Sequence, residues 1–108
     1  MTQLLDRLNR ELEVFGKRAQ AALDEGRLHM ELLRYRRQQD SAARDLGLLV
    51  HRRERGQEVD PRRVDAALVR LDDVGVQITR LEGLIEERRS ARAKAAASPP
   101  VAQPDQGA

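Results

Sequence analysis

Of the four prolines in this chain, Pro61 alone lies inside it; Pro99, Pro100 and Pro104 all fall within the last ten residues. A proline in a helix interior removes a backbone hydrogen bond and clashes with the preceding turn, so its position limits where a helix can run. The stretches Thr2 to Arg55 and Pro61 to Ala96 are free of internal proline and rich in Leu, Ala, Arg and Glu, all good helix formers. Two helical segments meeting near Pro61 are therefore expected.

The residues between them support a short turn. Gly56 is placed to end the first helix, since glycine takes the left-handed conformation without steric cost. Asp60 can cap the second helix through its carboxylate. Pro61 then occupies the first helical position, where a missing N–H costs nothing.

Apolar spacing predicts how the segments pair. Reading back from the turn gives Leu49, Leu46, Ala42, Gln39, Tyr35, Leu32 and Leu28. Reading forward gives Val64, Leu68, Leu71, Gly75, Ile78, Leu81 and Ile85. Both rows advance by threes and fours, the spacing of a narrow helix–helix seam. Each covers roughly 32 Å at ~1.5 Å per residue. Equal rows about a short turn predict an all-α fold: an antiparallel, coiled-coil-like helical hairpin over residues 27–96, with its turn near 56–60. Residues 97–108 carry three prolines and no apolar periodicity, and are expected to form a disordered tail.

Residues 1–26 form a further amphipathic helical segment with its own stripe: Leu5, Leu8, Leu12, Phe15, Ala19 and Ala22. On a wheel of about 100° per residue this stripe centres near ~90°, and the row from Leu28 to Leu49 near ~270°. If the helix is continuous through Asp24-Glu25-Gly26, the two faces look in opposite directions. If it folds back at Gly26, the stripe would cover the outer apolar positions Met30, Leu33, Val69 and Val76. One glycine without a proline is a weak breaker, costing about 1 kcal/mol against alanine. The continuous helix is the favoured alternative.

Composition fits helices rather than a compact globule. Phe15 and Tyr35 are the only aromatics, whereas small globular cores are usually anchored on them. There is no cysteine, which removes disulfides, thiol nucleophiles and thiolate metal sites. No apolar run approaches the ~18 residues that span a bilayer. Met1 to Asn9 mixes acid and base and does not read as a signal peptide, so the cytoplasm is the expected compartment.

Charge is mixed. Twenty bases stand against 18 acids, for a net +2. Residues 27–56 carry +4, concentrated at Arg34-Arg36-Arg37 and Arg52-Arg53-Arg55, while 57–96 are neutral and 1–26 carry −1. A phosphate-binding surface would sit on those arginines. No stacking aromatics or nucleic-acid motif accompany them, so solvated helix flanks are the favoured reading and nucleic acid is a disfavoured partner.

Candidate chemistry is sparse. Glu25 and His29 share one helical face but supply only part of a metal site. The adjacent pairs Asp72-Asp73 and Glu86-Glu87 diverge by about 100°, too far to share a proton easily. Ser41 and Ser90 have no matched base, and a two-helix hairpin offers no water-excluding cleft. No catalytic, cofactor or metal residue is assigned, and the chain is expected not to be an enzyme.

The order of features is also familiar. Phe15-Gly16-Lys17 leads into a helix with Tyr35, then Leu46-Gly47, a turn marked by glycine and proline, and Ile78-x-x-Leu81-x-x-Leu84-Ile85. Over about residues 12–88 this resembles the helical N-terminal region of small bacterial coiled-coil proteins of unknown function, many of which carry a zinc ribbon afterwards. The resemblance implies a fold and no activity. A cysteine-free chain has no such ribbon.

The expected function is self-association or docking on a protein partner, with Leu5, Leu8, Leu12 and Phe15 as the contact. The alternative is association of the first segment with a membrane surface. Its charge of −1 lacks the basic face that anionic lipids attract.

Overall fold

The computed structural model describes residues 2–97. Helix α1 spans Thr2–Glu54 and helix α2 spans Pro61–Ala97; they lie side by side as an antiparallel hairpin. The fold is all-α, and no strand occurs among the described residues. At ~1.5 Å per residue, 53 residues of α1 make roughly 80 Å of helix, which accounts for the long dimension of 82 Å.

The turn is fixed by local chemistry. Gly56 has a φ of 82°. Its N–H donates to the Arg53 carbonyl at 3.0 Å, and the N–H of Gln57 donates to the Arg52 carbonyl at 3.0 Å. This crossed pair is a Schellman stop, which satisfies carbonyls the helix end would otherwise leave open. Arg52 and Arg53 place positive charge at the negative end of the α1 dipole. Four residues on, the Asp60 carboxylate accepts from the Arg62 N–H at 2.9 Å and caps α2.

The core is a single strip between the helices. α1 contributes buried Leu32, Ala42 and Leu49, with Leu28, Tyr35, Gln39 and Leu46 partly buried between them. α2 contributes buried Ala67, Val74, Ile78 and Leu81, with Val64, Leu71, Gly75 and Ile85 partly buried. The tightest cluster joins Leu32 to Val74, Ile78 and Leu81, flanked by Leu28, Tyr35 and Ile85.

Two expected seam positions shift by one residue: buried Val74 stands where Gly75 was expected, and Ala67 where Leu68 was. Leu68 is 44% exposed, and the seam position is taken by its small neighbour Ala67. The row Val64, Ala67, Leu71, Val74, Ile78, Leu81, Ile85 alternates threes and fours without a break and so stays on one face. Leu68 instead lies about 90° from the centre of that row. Ala67 lines a crevice together with Ala42 and Leu49.

α1 runs unbroken through Gly26, as the favoured continuous alternative expected. Ala97, expected to open the tail, is the last residue of α2; the rest of the expected tail, 98–108, lies outside the described residues.

Candidate functional site

The helices are unequal, 53 residues against 37, and the surplus is all at the start of α1. Two ion pairs track the register. Arg36 Nη2 meets Glu82 Oε2 at 3.5 Å, and Arg92 Nη1 meets Glu25 Oε2 at 3.0 Å. Between them the pairing moves from 36 back to 25 on α1 and from 82 on to 92 on α2. Ala97 therefore falls level with about residue 20, and about 18 residues of α1, roughly 27 Å, project beyond the hairpin.

This projecting end does not carry the seam onward. The face that would meet a longer α2 holds Asp6, Arg10, Glu13 and Lys17. Apart from Val14, 48% exposed beside that face, its large apolar side chains gather toward the far side of the helix. Leu5, Leu8 and Leu12 are 51–60% exposed and Phe15 is 72% exposed. The stripe does not stop where the hairpin begins. Leu23, Met30 and Leu33 extend it along the back of α1, all exposed, opposite the seam. At Gly26 it dips: nothing lies within 4 Å of where a Cβ would stand. Ala22, Leu23, Met30 and Leu33 border this open depression of about 720 Å³. The continuation through Gly26 was available in the sequence as an unbroken three-four spacing. Reading Gly26 as a segment boundary hides it.

The polar candidates are dispersed. Glu25 holds Arg92 and is not aimed at His29 alone. Among the described residues no three His, Asp or Glu side chains come together around a metal-sized space. Asp72, Asp73, Glu86, Glu87, Ser41 and Ser90 are all exposed and spread along the two helices. Of the arginine clusters, Arg34 leans on Glu31 at 3.8 Å and lies 5.8 Å from the Tyr35 ring centre, Arg36 pairs with Glu82, and Arg53 pairs with Glu54 at 3.9 Å. Partly neutralised and solvated, they make a weak phosphate surface. Among the described residues no helix is long and apolar enough to cross a membrane.

No protein-family model matches the chain, and neither a curated protein nor a solved structure is significantly similar to it. The uncovered stripe on α1 is thus the feature on which a functional reading rests.

Proposed function

We propose that this is a non-catalytic, cytoplasmic coiled-coil protein that works by self-association or by docking on a protein partner, with Leu5, Leu8, Leu12 and Phe15 as the contact. One observation carries the reading: these four side chains form a single exposed row on a helix with no intrachain neighbour. Isolated exposed leucines are ordinary on protein surfaces, but a contiguous apolar row of this length marks an interaction surface. α1 carries the row without a break from the hairpin into the projecting end.

A membrane surface is the weaker occupant. The projecting end carries Arg7, Arg10, Lys17 and Arg18 against Asp6, Glu11 and Glu13, too even a balance to draw it to anionic lipid. The test is sedimentation of the full chain beside a variant with Leu5, Leu8, Leu12 and Phe15 all changed to Gln. The variant is expected to keep its helicity and lose its assembly or its partner. A wild-type chain that is monomeric, and that recovers no protein the Gln variant fails to recover, removes the reading.

A further inference from the structure

The stripe on α1 has a symmetry that selects its occupant. Its members are Leu5, Leu8, Leu12, Phe15, Ala19, Leu23, Gly26, Met30 and Leu33. The spacings run three, four, three, four to Ala19 and four, three, four, three from there to Leu33, so they mirror about Ala19: Phe15 and Leu23 stand four away on either side, Leu12 and Gly26 seven, Leu8 and Met30 eleven, Leu5 and Leu33 fourteen. We propose that the stripe is covered by a second copy of this chain, packed antiparallel across a two-fold axis beside Ala19. The proposal rests on the self-association reading above and specifies its geometry.

In that arrangement every layer closes. Leu5 lies level with the partner's Leu33, Leu8 with the partner's Met30, and Phe15 with the partner's Leu23. Leu12 falls on the partner's Gly26, the one place where the stripe is hollow. Ala19 meets its own copy, so the backbones approach closely at the axis. A two-fold contact demands this self-complementarity, with residue i on j and j on i. A parallel pair would instead set Gly26 against Gly26 and Phe15 against Phe15, leaving a void in one layer and crowding another.

The area is sufficient. The seven large residues of the stripe are 45–72% exposed. At roughly 200 Å² for a fully exposed large apolar residue, they present on the order of 800 Å² per chain, which matches the ~800 Å² each partner gives to a stable interface. On one flank of the stripe, Glu11 stands within about two residues of the level of the partner's His29. Arg18 at the rim faces its own copy, a solvated like-charge pair of small cost. α2 lies on the opposite side of α1 and obstructs neither copy.

Because the chain has no cysteine, single thiols report the register cleanly. Leu8→Cys and Met30→Cys alter exposed positions and leave the hairpin core untouched. Mixed and oxidised, the two full-length variants are expected to form a disulfide-linked heterodimer, with each alone remaining uncrosslinked. Cross-linking of each variant with itself, and none between them, would establish a parallel dimer and overturn the register while leaving self-association intact. A chain that sediments as a monomer at all concentrations overturns both, and one that then binds phosphatidylserine vesicles assigns the stripe to a membrane. As a second measure, Gly26→Leu has free space within its own chain but fills the slot for Leu12. It should weaken dimerisation at least roughly tenfold with helicity unchanged; an unchanged or tighter dimer would also overturn the register.

Discussion

α1 is one helix with two unlike halves. From Leu28 to Leu49 its apolar face is buried against α2; from Leu5 to Phe15 an equally regular face is bare. Spacing and residue type are nearly the same in both, so the local pattern does not decide burial. What decides it is whether α2 is long enough to lie alongside, and on which side of α1 the row falls. Burial of a leucine in the half paired with α2 removes apolar surface from water at ~25 cal/mol per Å². In the projecting half the same side chain contributes nothing to the folding of the single chain.

Truncation should separate the halves most strongly. Leu81→Ala, at a fully buried position, is expected to lower hairpin stability by about 3 kcal/mol through lost transfer energy and a cavity. Leu8→Ala should change it by less than about 0.5 kcal/mol. Urea unfolding followed by circular dichroism, at concentrations low enough to keep the chain monomeric, measures both. Similar losses at the two sites would mean that the projecting stripe folds onto its own chain.

The glycines give a second, smaller contrast. Gly56 holds a left-handed backbone at φ 82°, so Gly56→Ala is expected to cost about 1 kcal/mol. Gly26 sits inside α1 with open space around it, so Gly26→Ala should raise helicity and stabilise the monomer by up to about 1 kcal/mol. Thermal melts of the two variants should move in opposite directions. A shift in the same direction would remove the distinction between a stop and an interior position.

Leu68 offers the finest test of the seam. Partly exposed and off the contact face, Leu68→Ala is expected to lose under about 1 kcal/mol, well below the ~2–5 kcal/mol of a core leucine. A loss of that larger size would put Leu68 back into the seam in place of Ala67.

The turn was readable in the sequence because its chemistry is local. Gly56, Asp60 and Pro61 each act within a few residues, and each occupies the position its own backbone preference dictates. The α1 row was equally readable, since one step pattern fits it throughout. The α2 row was misread at two points, where Leu68 was taken in place of its neighbour Ala67 and Gly75 in place of Val74. Both slips take a step of four where the buried row takes a step of three. The continuous stripe was harder to see. Gly26 has the look of a boundary when one helix is read alone, and its role as a hollow emerges only when the exposed faces on both sides of it are joined.

The half-turn of rotation between seam and stripe is a phase, and α1 holds it with no joint to absorb an error. One residue added between Leu23 and Leu28 would turn the two faces by about 100° relative to each other, and two would bring the stripe round to the side of α2. Seven residues return the phase to within about 20° while moving the faces roughly 10 Å apart. Insertions in the turn, or ahead of Leu5 at the tip, leave this phase unchanged. Between the two faces, length can change only by near-whole numbers of turns, about seven, eleven or eighteen residues, so relatives of this chain that differ in length there should differ by such steps.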